Sequence, residues 1–360
     1  MRNFLIFFLL AATINTANGQ TKHDEAVQLG RQAIELMESG QIDASVELLE
    51  KAQKLDPDNI SFPYEIGYAY YLGKNYGKAA KVLKGLLDHP KVMDRVYQML
   101  GNAYDMDGKK DKAISAYEAG INKFPNSGML YLERGIMELM AKDYAKALWY
   151  FEKGIEADPE FSSNYYRAAQ IYLISTDEFW GLIYGEIFIN MEGNTPRAAE
   201  ISKSMFDVYK SEITFSGDTS AQVSLSSSEI NMTAEDLGQE LKLPYGLMVY
   251  EMVMTVSLLS EKEINLASLH RIRSRFVENY FSMEHDKKYP NILFDLQKEV
   301  LDAGHMEAYN YWILRRGDEE EFKAWKEKNE EKWDAFHNWF REHSLMMSID
   351  HRFYRGQYGE

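Results

Sequence analysis

A 34-residue repeat runs through the first half of the chain and limits the folds that the chain can adopt. Small residues recur in two series, and every step within each series has this same length. The first series is Ala33, Gly67, Gly101, Gly135 and Ala169. The second series is Ser45, Ala79, Ala113, Ala147 and Gly181, each at the same distance after its counterpart in the first. Five units in phase at two positions exclude a coincidental period, and a repeat of this length is typical of a solenoid.

The spacing within each unit predicts two helices joined by a tight turn. Small residues let two helix axes approach closely where they cross. The turns are predicted to contain Gly40, Gly73 and Gly108. Pro125 and Pro159 stop the second helices, because proline cannot donate the next backbone hydrogen bond. One unit cannot bury its apolar face alone, so five units in a row are expected to form a single cooperative all-α solenoid.

This pattern resembles the tetratricopeptide-repeat family. The unit at 128–161 carries the family pattern at Tyr131, Gly135, Tyr144, Ala147, Phe151, Gly154 and Pro159. The resemblance implies a right-handed solenoid over residues 26–195, with repeats at 26–59, 60–93, 94–127, 128–161 and 162–195. In the fifth repeat, Phe188 and Gly193 replace the small residue and the proline of the pattern. We therefore expect a modified terminal repeat that covers the end of the stack.

The resemblance also implies a groove lined by the first helix of each repeat. In this chain the predicted groove residues are Tyr64, Tyr68, Tyr71, Gln98, Asn102, Asp105, Tyr166 and Gln170. Other inward positions hold Leu72, Met106, Met140 and Ile174. Tyrosine and methionine surfaces with a few amides suit an adaptable site for a protein or peptide partner. The alternative is that the second half of the chain fills the groove.

The N-terminal segment, residues 1–19, predicts export. Arg2 precedes the apolar run from Phe4 to Ala12, which has the length of a secretory signal peptide and is too short to span a bilayer. Small residues precede a cleavage site predicted between Gly19 and Gln20. The expected location is the periplasm or cell envelope, or the medium after secretion. No integral membrane segment is expected after the signal is removed.

The remainder of the chain lacks the 34-residue period. Residues 196–244 predict a connecting helix, followed by a segment rich in serine and threonine around Gly217-Asp218. For that segment a small β-hairpin and an ordered loop are both open. Residues 245–360 predict a mostly helical region. This half resembles the C-terminal extensions of exported tetratricopeptide-repeat proteins of Gram-negative bacteria, and the resemblance implies no particular activity.

Residues that favour helix ends divide the C-terminal region into predicted helices. Asn265 can cap the start of one helix, and Pro290 suits the first turn of another. Asp318 and Glu321 form a predicted capping pair for one long last helix that continues to Phe340.

Composition and spacing exclude several classes of function. The formal net charge is −16 and no basic run is interleaved with aromatic residues, so no nucleic-acid partner is expected. The absence of cysteine excludes thiolate chemistry and cysteine-ligated metals. His337, His343 and His351 are not spaced to place two rings on one helical face. We therefore expect a non-catalytic scaffold without a cofactor. The alternative is an enzyme or small-molecule-binding protein with its site in residues 197–360.

Overall fold

The computed structural model describes residues 17–216, 220–227 and 244–358. Two units separate between Phe124 and Pro125. Most of the predicted signal peptide, and the tip of the predicted hairpin at Gly217-Asp218, lie outside the described residues. Among the described helices, none combines the length and the apolar character that crossing a membrane requires.

The first unit consists of three helix pairs, which correspond to the first three repeats. Its helices are α1 (Ala17–Glu38), α2 (Ile42–Leu55), α3 (Ser61–Leu72), α4 (Tyr76–Lys84), α5 (Asp94–Met106) and α6 (Lys110–Lys123). At Gly101 of α5, an added Cβ would lie 2.2 Å from a ring carbon of Tyr117 on α6. Gly67 of α3 approaches Leu83 of α4 in the same way. The small residues therefore leave room for a large side chain of the second helix.

The second unit begins with the fourth and fifth repeats and continues into the C-terminal region. Its first five helices are α7 (Gly128–Met140), α8 (Tyr144–Ala157), α9 (Ser162–Tyr172), α10 (Glu178–Glu192) and α11 (Pro196–Glu212). At Gly135 of α7, an added Cβ would lie 2.4 Å from a ring carbon of Phe151 on α8. Across the two units, all ten residues of the two small-residue series are buried.

In each of the first four repeats, the turn between the two helices contains one residue in the left-handed conformation. These residues are Gly40, Lys74, Gly108 and Lys142, with φ of 80°, 59°, 73° and 62°. They follow the 34-residue period, whereas Gly73 has φ −74°. Gly40, Gly73 and Gly108 all lie in these turns, as predicted, but in the second repeat the left-handed residue is Lys74 and not Gly73. Lysine in this conformation costs roughly 1–2 kcal/mol relative to a right-handed one, and the packing of the two flanking helices outweighs this cost.

A small hairpin follows α11. Strands β1 (Ile213–Ser216) and β2 (Ser220–Val223) are antiparallel, with Ile213 opposite Val223. Of the two alternatives for this segment, the hairpin is confirmed. Residues 225–227 then return to the N-terminal end of α10, where the backbone N–H of Phe179 donates to the carbonyl of Leu225 at 3.1 Å.

The C-terminal region is helical. A π-helical turn (Gly246–Glu251) leads into α12 (Met252–Ser257), and the later helices are α13 (Leu266–Ser282), α14 (His285–Lys288), α15 (Ile292–Asp302), α16 (Met306–Ile313), α17 (Glu319–Lys328) and α18 (Glu330–Phe340). Asn265 caps α13 through a reciprocal bond with Ser268, which confirms that helix start. Pro290 lies before α15 rather than in its first turn, because the side chain of Asn291 caps the helix by accepting from Leu293 N–H.

The long last helix predicted from Asp318 to Phe340 is instead two helices. The chain leaves the helical conformation at Asn329, whose side-chain amide donates to the carbonyl of Trp325 at 2.9 Å and so caps α17. Asp318 caps α17 as expected by accepting from Glu321 N–H. The carboxylate of Glu321 does not return this bond, because it accepts from the first backbone N–H groups of α13, both at 2.9 Å.

The second helix of the fifth repeat is the centre of the second unit. Twelve of the 15 residues of α10 are buried, and they occupy all sides of the helix. A helix that is apolar all round must be covered on all sides. Helices α9, α11 and α15 and the π-helical turn supply this cover. The boundary predicted at 195/196 therefore does not coincide with the division of the structure, because the C-terminal region shares its core with the last two repeats.

Candidate functional site

In the first unit, the predicted groove residues lie on α3 and α5. Tyr64 is buried, whereas Tyr68 and Tyr71 are half-buried. The guanidinium of Arg95 lies over the Tyr64 ring, 4.6 Å from its centroid, which is a cation–π contact. Burial, opposed by the charge of Arg95, raises the pKa of Tyr64 to about 12, so its phenol stays protonated.

On α5, a packing residue and a groove residue are directly connected. The Tyr117 ring that fills the space beside Gly101 carries a hydroxyl that donates to the Asn102 side-chain oxygen at 2.5 Å. Asn102 is therefore held in place by the helix crossing itself. Gln98 and Asp105 are half-buried on the same helix. The sequence predicted that these residues share one helix, but it did not predict the hydrogen bond from Tyr117 to Asn102.

In the second unit, the two predicted groove residues contact α11. The hydroxyl of Tyr166 donates to Glu200 at 2.8 Å, and the Gln170 amide donates to the same carboxylate at 2.7 Å. The guanidinium of Arg197 lies 5.1 Å from the centroid of the Tyr166 ring. At these two positions α11 covers the groove side of α9.

Exposed aliphatic residues recur with the 34-residue period in the second to fifth repeats, at or just after the end of the first helix. We call these four residues the exposed aliphatic row. Leu72 and Met106 of the first unit are 43% and 53% exposed. Met140 and Ile174 of the second unit are 60% and 81% exposed. All four occupy inward family positions, but the sequence alone does not tell which of those side chains remain uncovered. Each unit, taken by itself, thus exposes two large aliphatic side chains at one repeat position, and each pair marks a candidate interaction surface.

A buried polar cluster connects helices of the C-terminal region to Glu186 of α10, which is 2% exposed. Its carboxylate accepts hydrogen bonds from Arg273 at 2.6 Å, Gln297 at 2.6 Å and Tyr309 at 2.8 Å. Arg273 also donates to the side chains of Asn310 and Tyr209. The cluster therefore joins α10 to α11, α13, α15 and α16 by charge-assisted hydrogen bonds.

The cavity beside this cluster is too small for a substrate. It measures about 10 Å³ and is lined on its polar side by Glu186, Tyr209, Tyr250, Arg273 and Gln297. That volume is close to the least that one water molecule needs. The cluster is therefore a buried ion pair with additional hydrogen bonds, and it connects the surrounding helices.

Carboxylates also gather at the N-terminal end of α10. One oxygen of Glu251 accepts from two successive backbone N–H groups at 2.6 Å each, and Asp177 binds the backbone and hydroxyl of Ser227. Burial, followed by the charges of Glu212, Asp177 and Glu251, raises the pKa of Glu178 to about 7. These groups attach the segment after β2 to α10.

The histidines singled out in the sequence have structural contacts. His337 packs edge-on against Trp333, and His343 stacks on Trp339, each with ring centroids 4.2 Å apart. His351 forms a local turn with Ser348. Within the described part of the chain, no group of three or more His, Asp or Glu side chains is arranged to hold a metal ion.

Two families of known proteins match residues within the repeats. The family described as "TPR repeat" matches residues 34–73, and the family described as "Tetratricopeptide repeat" matches residues 99–160. A curated relative, "BBSome complex member BBS4" of Bos taurus, is 28% identical over 120 residues, which are 33% of this chain and 23% of that protein. This chain thus spans less than a quarter of that relative's length.

Solved structures resemble about half of this chain. MamA is 20% identical and covers 49% of this chain and 92% of its own, with a TM-score of 0.37. PilF of Pseudomonas aeruginosa is 15% identical and covers 53% and 86%, with a TM-score of 0.44. YrrB, described as a TPR protein with an unusual peptide-binding site, is 17% identical and covers 52% and 98%, with a TM-score of 0.35.

Proposed function

We propose that this chain, whose residues 34–73 and 99–160 match tetratricopeptide-repeat families, is a non-catalytic scaffold, and that each of its units binds protein through its own two residues of the exposed aliphatic row. The single observation that carries this proposal is the exposure of Leu72, Met106, Met140 and Ile174 at one repeat position. Repeats of this family support protein binding in general. The choice of this surface, and a role in the cell envelope, are specific to our proposal.

The free energy for such binding comes from removing the row from water. Full burial of one Leu, Met or Ile side chain is worth about 1.5–3 kcal/mol. Methionine adapts its shape to irregular partner surfaces, since it is unbranched and has three rotatable side-chain bonds. In the first unit, Asp105 and Asn102 lie on the same helix as Met106 and supply polar groups beside the apolar contact. A partner segment with apolar side chains and free backbone donors fits this combination.

Replacing Met140 and Ile174 together with glutamate should weaken partner binding by at least about tenfold, because two charges would then have to be desolvated at the interface. Folding should change little, since both side chains are mostly exposed. A photo-crosslinking residue at position 174 first identifies the partner, and the dissociation constant is then measured with the purified proteins.

The matched control introduces the same two charges at exposed neighbouring positions, as Ala141→Glu with Thr176→Glu. This control should bind like the unmodified protein. Equal binding by both double variants, with unchanged melting temperatures, would show that the row is not the interaction surface.

We also propose that the scaffold is exported, which rests on the sequence of the N-terminus. Among residues 21–38 of α1, whose side chains the structure describes, the first buried apolar residue is Ala26, and it lies after the predicted cleavage site. The mature protein should therefore begin at Gln20 when its N-terminus is sequenced. Recovery of the chain from the cytoplasm with Met1 in place would contradict export.

A further inference from the structure

The C-terminal segment, residues 352–358, lies along the second helices of the fourth and fifth repeats. Arg355 donates through Nε and Nη2 to the carboxylate of Glu152 on α8, both at 3.1 Å. Arg352 donates to the backbone carbonyl of Glu156, and the hydroxyl of Tyr354 donates to the Glu156 carboxylate at 3.1 Å. Glu152 and Glu156 are four residues apart and therefore share one face of α8. One guanidinium and one phenol thus bind the two carboxylates of this face, and the second guanidinium binds a backbone carbonyl on it.

An aromatic side chain anchors the same segment. Phe353 is 1% exposed, and its ring lies 5.9 Å from Trp180 on α10 and 5.8 Å from Tyr245. Tyr358 stacks on Tyr245 with ring centroids 4.6 Å apart. Aromatic contacts of this kind supply affinity, while Arg355 supplies specificity for a carboxylate.

The acidic side of this surface is built by the repeats. Glu152 also accepts hydrogen bonds from the hydroxyls of Tyr172 on α9, at 2.8 Å, and Tyr184 on α10, at 3.3 Å. Burial, and then the charge of Glu152, raises the pKa of both phenols, so they remain donors. The carboxylate is therefore held in position by two helices that do not belong to the segment. It is 8% exposed and needs a cation to balance its charge.

Most of the chain that leads to the segment is in solvent, and its buried side chain is that of Met347, at 6% exposure. Residues 341–344 are exposed, and Met346 and Ile349 are 78% and 51% exposed. The backbone bonds described between Ser348 and His351 are local to that turn. The segment itself binds α8 through side chains, so its departure breaks no helix.

We propose that the face formed by α8 and α10 is a binding site for an extended peptide with arginine and aromatic side chains, which the C-terminal segment occupies in cis and can vacate. The ligand class follows from the occupant, in which two arginines flank Phe353 and Tyr354. Tethering keeps the segment at a high effective concentration, so a second peptide enters only when the tether is released. None of these residues belongs to the exposed aliphatic row, so this site is separate from the proposed scaffold surface.

The test uses the full chain with a recognition sequence for a site-specific protease inserted after Ser344. After cleavage, the protein is diluted and passed through a gel-filtration column, which removes the released segment. A fluorescent peptide of residues 345–358 is then titrated into the uncleaved and the cleaved protein, and binding is followed by fluorescence anisotropy. Cleavage should strengthen peptide binding by at least about tenfold, because the tethered competitor is lost. An Arg355→Ala peptide should bind at least about tenfold more weakly, as expected for a desolvated charge pair. An Asp350→Ala peptide is the matched control and should bind unchanged, since Asp350 is exposed.

In the protein, Glu152→Gln should weaken binding of the peptide, whereas the control Glu160→Gln, at an exposed position, should leave binding unchanged. Tryptophan fluorescence checks that each variant is folded. If Glu152→Gln does not fold, the proposal is tested by the binding of the original, Arg355→Ala and Asp350→Ala peptides to the unmodified protein. The proposal is wrong if the cleaved chain retains its own segment and excludes the labelled peptide. It is equally wrong if the Arg355→Ala peptide binds as well as the original one.

Discussion

Replacing Arg273 with methionine should destabilise the second unit by about 3–5 kcal/mol, because the carboxylate of Glu186 would remain buried without a cation. The two side chains are among the least accessible charged groups described, at 5% and 2% exposure, with 2.6 Å between Nη2 and Oε1. Gln297 and Tyr309 would still donate hydrogen bonds to the carboxylate, but neither neutralises its charge. The second unit should therefore unfold at a lower denaturant concentration.

The measurement follows from where the tryptophans lie. All six occur after residue 125, so intrinsic fluorescence during urea unfolding reports the second unit alone. A shift of the midpoint at constant slope gives the change in the free energy of unfolding.

Two further variants separate the buried pair from charge loss in general. Arg271 lies two residues earlier on α13, with a side chain 52% exposed, and pairs with Glu261 at 2.6 Å. Arg271→Met should cost less than about 1 kcal/mol, as for other surface ion pairs. Arg273→Met combined with Glu186→Leu should recover much of the loss, because no charge then remains buried. If Arg273→Met costs no more than Arg271→Met, the buried pair does not hold the helices together.

The repeats could be predicted because a helix crossing leaves a local mark in the sequence. A residue as small as Gly101 or Gly135 is required wherever a large ring of the second helix fills the space beside it. The period itself is a stronger guide than residue type. Glycine favours the left-handed conformation, yet in the second repeat Lys74 adopts it and the neighbouring Gly73 does not, and the 34-residue period counted from Gly40 identifies this position.

The polar sites could not be predicted, because their members are distant in sequence. Arg273 and Tyr309 lie 87 and 123 residues from Glu186. Glu321 illustrates the same limit, since its spacing from Asp318 predicts a local capping pair but its carboxylate caps a helix that begins 55 residues earlier. Pairing of charges across such distances depends on how helices pack, which neither period nor composition encodes. The groove prediction had the same weakness, because the role of Glu200 in covering Tyr166 has no local signature.

Replacing Gly135 with leucine is the second change expected to have a large effect. Even a Cβ at this position would lie 2.4 Å from the ring of Phe151, which is fully buried. The larger side chain must displace that ring or the helix, which costs about 1–3 kcal/mol. A glycine in a helix without such a contact would show the opposite sign, because glycine is less favourable there than alanine by about 1 kcal/mol. The direction of the midpoint shift therefore distinguishes a helix crossing from an ordinary helical glycine.

A size exchange tests whether Phe151 is the cause of that loss. Phe151→Ala alone should cost about 3–5 kcal/mol, because it leaves a cavity at the crossing of α7 and α8. In the double variant, the leucine at position 135 can occupy part of that cavity, so the two losses should not add. We expect the double variant to be more stable than the sum of the single changes predicts by at least about 1 kcal/mol, measured by the same fluorescence midpoints. Strict additivity would mean that the two side chains do not compete for one space, and that the small residues of the repeat are required for another reason.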